Sequence, residues 1–168
     1  KAYGLMIKKV EKFLDKLYLF SGYVSSFFLI VIGILILLSI ITRTSDFYIG
    51  GLNEYSGYCL AAASFFGLAY TFQEGGHIRI TLFIEKMSNQ TKLFFEKWCL
   101  IAASLFSGFL SFYLIKMTYL SYLFEERSEG ADGILLWPPQ SSLAIGSALL
   151  FICIFHQLIK KMNNHGLN

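Results

Sequence analysis

The residues that could support chemistry in this chain are few and lie far apart. The three histidines fall in separate segments, so their spacing does not match a metal or haem site. The three cysteines all lie inside apolar runs, which indicates small buried side chains rather than a disulfide. The sequence contains no phosphate-binding glycine loop of the Walker type. We therefore predict that the chain is not an enzyme and binds no cofactor or metal.

Lys116 is a charged residue inside an apolar run, and such a residue is a candidate for function by default. Counted along a helix from Trp98, it lies about 27 Å from the start, near the outer headgroups of a membrane. There its aliphatic stem could reach the interface beside Tyr119 and Tyr122. We interpret Lys116 as an anchor that contacts lipid or a partner, with a role in transport as the alternative.

Long apolar segments are the elements that must position these residues. Apolar residues make up 55% of the 168 residues and the mean hydropathy is +0.57, more than a soluble core of this size could bury. Each of four segments can cross a hydrocarbon layer of about 30 Å at about 1.5 Å per residue. We predict one all-α integral membrane domain with four transmembrane helices, over residues 17–42, 55–74, 92–124 and 138–160.

Two amphipathic segments accompany these spans. Residues 5–17 repeat apolar side chains on one helical face, with lysines and acidic residues on the rest of the surface. The same spacing recurs between spans two and three, from Ile80 to Met87. We predict interfacial helices over residues 1–16 and 78–88. For the first of them, a frayed N-terminal extension of span one is the alternative.

A glycine pair separates span two from the second amphipathic segment. Gly75 and Gly76 can adopt positive φ, which would end the span and turn the chain along the membrane surface. His77 and Arg79 would then lie at headgroup depth. We interpret them as interfacial anchors or partner contacts rather than as catalysts.

The last span begins with Trp137, Pro138 and Pro139, which is typical of a helix that starts at a membrane interface. Small residues recur in this span, including Gly146, and in span two, including Gly67. Because small side chains let helix backbones approach closely, both spans could pack tightly against other helices.

The basic residues predict the orientation of the chain. Nearly all those outside the spans would lie on the side of both termini, whereas the other side has only Arg43 and Arg127 and is acidic. By the positive-inside rule, both termini of this multi-pass protein lie in the cytoplasm. The net charge of +3 is the sum of two differently charged faces and does not indicate nucleic-acid binding.

The order of these features resembles the small membrane subunit, the Q or DctQ-type subunit, of tripartite ATP-independent periplasmic (TRAP) transporters. The resemblance covers nearly the whole chain. It rests on Glu54 before span two, on the Gly67 segment, on the proline-led last span with Gly146, and above all on GGHIRI at residues 75–80.

This resemblance implies a non-catalytic subunit of a sodium-coupled, binding-protein-dependent secondary transporter for organic acids such as sialic acid or C4-dicarboxylates, in the bacterial inner membrane. The implied partners are a large multi-span M- or DctM-type subunit, a periplasmic substrate-binding protein and phospholipid. The large subunit would hold the sodium and substrate sites, and this chain would brace it. The residues expected to contact a partner or lipid are Glu54, Gly67, Lys116, Trp137, Pro138, Pro139 and Gly146.

Two other functions remain as alternatives. One is a stand-alone transporter with four helices, although spans one, two and four contain no charge that could hold an ion or a polar solute. The other is the membrane anchor of a redox enzyme, for which His156 is the histidine nearest to the position of a haem ligand.

Overall fold

The computed structural model describes residues 2–45, 49–74, 89–130 and 132–163. In these ranges the chain forms four α-helices, and one isolated β-bridge pairs Arg127 with Leu135. The predicted all-α class is therefore confirmed for the described residues. The helices are α1 (Ala2–Thr44), α2 (Leu52–Gln73), α3 (Asn89–Leu123) and α4 (Trp137–Asn163).

The first helix is longer than the predicted first span. α1 is one continuous helix of 43 residues, about 65 Å long at about 1.5 Å per residue. No glycine or proline lies between Leu5 and Ser21 to interrupt its backbone hydrogen bonds. Residues 2–16 therefore extend the helix of span one, which is the alternative named for the amphipathic segment. Where these residues lie relative to a membrane surface stays a prediction.

The helices run alternately up and down. α2 packs between α1 and α4, and α3 packs against α4. The hydrogen bond between Gln73 and Asp15 and the ion pair between Lys160 and Glu11 bring the start of α1, the end of α2 and the end of α4 together. We call this the terminal end of the bundle. The opposite end, which holds the start of α2 and the connection between α3 and α4 at residues 124–136, is called the loop end.

Three of the described helices are long and apolar enough to cross a membrane, through the stretches Glu11–Thr44, Phe94–Leu123 and Trp137–Met162. α2 is not one of these three, because residues such as Asn53, Ser56 and Gly57 lower the hydropathy of its first turns. Its 22 residues would still extend about 33 Å. A membrane span over α2 stays a prediction.

The buried apolar side chains come mainly from α2 and α4, and many of them are small. Ala62, Ala63 and Ala69 are buried on α2, as is Ala144 on α4. The outer helices instead expose large side chains: Phe106 of α3, for example, is 69% exposed. Small residues inside and large apolar residues outside are the pattern of helices that face lipid or another membrane protein.

Candidate functional site

The contact between α1 and α2 depends on a small polar residue facing a glycine. The hydroxyl of Ser25 donates a hydrogen bond to the backbone carbonyl of Ala63 at 2.7 Å. A Cβ atom on Gly67 would lie 2.9 Å from the Ser25 Oγ atom, which is too close for an ordinary contact. Gly67 therefore lets the two backbones approach far enough for an interhelical hydrogen bond, as small residues do in membrane helices.

Gly146 has the corresponding position between α4 and α2. A Cβ atom there would lie 2.7 Å from the Phe65 Cβ atom and 3.0 Å from the Phe65 backbone carbonyl carbon. Backbone atoms cannot rotate away, so any side chain at residue 146 would push the helices apart. Small residues in the two segments thus pack α2 and α4 against each other within this chain. A contact of Gly67 or Gly146 with a partner stays a prediction.

Glu54 anchors the loop end. Its carboxylate accepts a hydrogen bond from the Tyr58 hydroxyl at 2.7 Å, one turn along α2, and another from the hydroxyl of Ser128 in the connection between α3 and α4. The Tyr55 hydroxyl donates to the Asp132 carboxylate at 3.3 Å. Two residues from the first turn of α2 therefore fasten the distant connection to the bundle.

The connection also has its own backbone order. The Ser128 amide donates to the Ile134 carbonyl at 2.8 Å, and the Leu136 amide donates to the Glu126 carbonyl at 2.9 Å. Gly133 adopts a φ of 52°, a left-handed conformation that favours glycine. These bonds fold the connection back on itself and bring Ser128 to Glu54.

The start of α4 follows the prediction from its prolines. The helix begins at Trp137, and Pro138 and Pro139 lie in its first turn, where their missing amide hydrogens cost no helical bond. The Trp137 ring packs edge-on against Tyr122 of α3, with 5.6 Å between the ring centroids. This aromatic pair joins the two helices at the loop end.

Lys116 lies exposed on α3, between the exposed rings of Tyr113 and Tyr119. The described residues form two ion pairs, and Lys116 takes part in neither of them. Leu123, the last residue of the helix, follows seven positions later, which is about 10 Å at about 1.5 Å per residue. The contact of Lys116 with lipid, partner or solute stays a prediction.

Polar side chains from three helices meet at the terminal end. The Lys160 amine lies 3.3 Å from the Glu11 carboxylate, and the Gln73 amide donates to Asp15 at 3.0 Å. The next residue of α4, Lys161, forms an ion pair with Glu96 of α3. All four helices are thus tied together near the termini.

A cleft of about 380 Å³ opens among these side chains. Its walls include Glu11 and Asp15 of α1, Gln73 of α2, and His156, Lys160 and Lys161 of α4. The lining therefore combines two carboxylates with two amines. Within the described ranges, no group of three or more histidine, cysteine or acidic residues is arranged to hold a metal ion.

The predictions from the sequence did not identify this cleft. Glu11 and Asp15 are four residues apart and share a helical face, which was interpreted only as the polar side of an amphipathic helix. The alternating direction of the helices places that face opposite the lysines that end α4. The sequence feature that could have indicated the cleft was thus a pair of carboxylates near one terminus and a pair of lysines near the other.

The glycine turn predicted as the strongest sequence motif lies outside the described residues. This applies to Gly75, Gly76, His77 and Arg79, and to the interfacial helix over residues 78–88. Their proposed turn and anchoring therefore stay predictions.

Comparison with known proteins identifies the family. No curated protein matches the chain. The family model described as "Tripartite ATP-independent periplasmic transporters, DctQ component" matches residues 12–164, which covers all four helices except the start of α1. The chain therefore belongs to the DctQ family and is a small membrane subunit of a TRAP transporter.

Proposed function

We propose that this chain braces the large transport subunit of a sodium-coupled, binding-protein-dependent transporter for organic acids, such as sialic acid or a C4-dicarboxylate. The large subunit carries the sodium and substrate sites, and this chain contributes a static helical support. The family membership supports a large membrane subunit and a substrate-binding protein as partners. The bracing, the sodium coupling and the substrate class are the proposal.

The observation that carries the bracing role is the exposed apolar surface of α1. Within Glu11–Thr44, the most apolar 18 consecutive residues include no residue that is buried within the chain. Side chains such as Ile30 and Ile34 are 64% and 59% exposed. A helix that packs on one side only leaves its other sides for lipid and for a second membrane protein.

The distribution of charge supports the same role. In the described helices, Lys116 is the single charged residue that lies deep in a predicted span. Its side chain is exposed on the surface of α3. A transporter that held ions or a polar solute by itself would need polar groups facing an interior path. In the described helices, charge is instead concentrated at the two ends of the bundle, where charged side chains fasten helices to each other.

We further propose that the terminal end faces the cytoplasm of a bacterial cell and the loop end faces the periplasm. The excess of basic residues near the termini supports this orientation. Glu125, Glu129 and Asp132 are exposed at the loop end, where the docked connection presents them as an acidic surface. That surface lies on the side from which the substrate-binding protein would approach.

The test is uptake in proteoliposomes that contain the large subunit alone, this chain alone, or both, each with the binding protein and a sodium gradient. We expect uptake only when both subunits are present, and we expect the tagged chain to co-purify with the large subunit. Uptake of solute by this chain alone would contradict the proposal and favour a stand-alone transporter. Full uptake by the large subunit without this chain would contradict the bracing role.

A further inference from the structure

We infer that the terminal-end cleft is a binding site for a phospholipid headgroup that contains both a phosphate and a primary amine, as in phosphatidylethanolamine. The cleft lies apart from the contacts that hold the loop end, and it has no part in the bracing role proposed above. The inference requires only that the terminal end lies at a membrane surface, whichever face that is.

The depth of the cleft follows from the limits of the apolar stretches. The charge-free apolar run of α1 begins at Leu17, and that of α4 ends at Ile159. The cleft is lined by Glu11 and Asp15, which come shortly before the α1 run, and by Lys160 and Lys161, which directly follow the α4 run. A site at the point where two spans reach their limits lies at the level of the lipid headgroups.

The charges that line the cleft match a zwitterion. The Lys160 amine can bind a phosphate, and the Lys161 amine, which also pairs with Glu96 of α3, adds a second positive charge beside it. The carboxylates of Glu11 and Asp15 can accept hydrogen bonds from an ammonium group. Two positive and two negative groups give a lining with no net charge, which does not favour a strongly anionic headgroup. A trimethylated amine could not donate the hydrogen bonds that the carboxylates accept.

The groups in the cleft remain accessible although they also contact each other. The Lys160 side chain is 59% exposed and the Glu11 side chain is 33% exposed in their ion pair. The volume of about 380 Å³ lies within the range of about 300 to 1,000 Å³ that is usual for small-molecule sites. Deeper along the two helices, Leu19 and Ile152 expose apolar side chains that acyl chains could cover.

The first experiment uses the wild-type full-length chain in nanodiscs with equal amounts of phosphatidylethanolamine and phosphatidylcholine that have matched acyl chains. After transfer to detergent, native mass spectrometry measures which lipid is retained. We expect phosphatidylethanolamine to be retained about tenfold more, the scale of one charge-assisted hydrogen bond. Equal retention of the two lipids would overturn the inference.

Paired variants separate the two halves of the headgroup. The double variant Glu11→Gln and Asp15→Asn should lose the preference for phosphatidylethanolamine while still retaining phospholipid. The double variant Lys160→Gln and Lys161→Gln should retain about tenfold less of both lipids. If either double variant behaved like the wild type, the inference would be wrong.

The controls change the same charges outside the cleft. Lys12→Gln removes an exposed lysine beside Glu11, and Glu74→Gln removes an exposed carboxylate beside Gln73. Both should retain lipid as the wild type does. The double variant Lys160→Arg and Lys161→Arg keeps both charges and should keep binding, which separates loss of the phosphate contact from loss of folding.

Two further arms distinguish a lipid from other occupants of the cleft. Inorganic phosphate and soluble phosphoethanolamine are added to the purified chain, and displacement of the lipid by either at millimolar concentration would overturn the assignment to a lipid. The retained lipid is also measured in the complex with the large subunit. Its loss on assembly would show that protein covers the cleft, which would overturn a lipid site in the transporter.

Discussion

The two ends of the bundle are held together by different chemistry. At the loop end, neutral hydroxyl donors from Tyr58 and Ser128 satisfy one carboxylate, Glu54, and the connection beyond Ser128 is ordered by backbone bonds. At the terminal end, oppositely charged side chains from different helices pair around an open cleft. The loop end is therefore a fastening of one segment, whereas the terminal end is a charged crevice that can also accept a ligand.

This difference fits the two membrane surfaces that the sequence predicts. A carboxylate bonded to hydroxyl groups needs no counterion and leaves an acidic surface, which is what the loop end presents. Lysines near the terminal end pair with carboxylates there, and the sequence predicts that this end lies at headgroup depth. Both ends depend on the same spacing between α2 and α4, since the helices that carry them are continuous from one end to the other.

The largest effect should come from breaking that spacing. We expect Gly146→Leu to lower stability by about 3 kcal/mol, because the new side chain would meet the backbone of Phe65. Reversible unfolding in mixed micelles measures the change, and both ends should loosen together.

Gly33→Leu is the matched control for this prediction. A Cβ atom on Gly33 has no neighbour within 4 Å, and the residue is exposed on α1. This variant should be neutral or slightly more stable, since leucine favours a helix more than glycine does. Equal losses in the two variants would mean that the α2–α4 contact does not limit the helix spacing.

An intermediate effect should follow from loss of the loop-end fastening. Glu54→Ala removes the acceptor for two hydroxyl groups, and we expect a cost of about 2 kcal/mol, typical of hydrogen bonds to a charged group. Faster amide hydrogen exchange in residues 126–136 would report release of the connection. The terminal end should not respond.

Two substitutions test whether loss of the hydrogen-bond acceptor at residue 54 causes the release of the connection. Glu54→Gln keeps a neutral acceptor and should fall between the wild type and the alanine variant. Glu129→Ala removes an exposed carboxylate from the same connection and should leave exchange unchanged. If Glu129→Ala released the connection as much as Glu54→Ala did, the release would come from the loss of a negative charge at this end. It would not come from the loss of the Glu54 hydrogen bonds.

The smallest effect should appear at the terminal end, where it should also depend on salt. Lys161→Gln breaks the pair with Glu96, in which the side chains are 27% and 20% exposed, and we expect a loss of about 1 kcal/mol at low ionic strength. Thermal unfolding at low and high salt should show that the difference from the wild type shrinks as salt screens the pair. The Glu54 variants should lack this dependence, because their hydrogen-bond donors are neutral.

Lys160→Gln sharpens this comparison within the terminal end. The Lys160 side chain is 59% exposed, so water and salt screen its pair with Glu11 and the loss should be smaller still. A larger loss for Lys160→Gln than for Lys161→Gln would contradict the ranking by exposure.

Much of the helical pattern could be predicted because membrane helices leave strong marks in a sequence. The charge-free length of an apolar run is set by the bilayer, and Pro138 with Pro139 marks the start of α4. The continuity of α1 was not predicted as the main interpretation, since a change from amphipathic to apolar composition looks the same whether the helix bends or continues straight. Only the absence of glycine and proline between Leu5 and Ser21 indicated the outcome.

The sites were less predictable because their members are distant in sequence. Gly146 could be predicted to allow a close approach, but its partner Phe65 depends on how α2 and α4 rotate about their axes. Glu54 could be named as important, but its partner Ser128 lies 74 residues away, in a connection whose shape depends on its own backbone bonds. The residues of the terminal-end cleft have ordinary positions along their helices and become a site only when three helix ends meet.

By itself, the sequence determined the helical class, three of the four predicted spans as helices apolar enough to cross a membrane, the separation of charge between two ends, and the membership in the DctQ family. These properties are local sums over composition and spacing, so they need no knowledge of contacts. The tertiary structure alone decided that α2 lies between α1 and α4, that Glu54 fastens the loop end, and that Glu11 faces Lys160. Those features depend on the rotation and register of packed helices, which are set by the fit of side chains from different helices, many of them far apart in sequence.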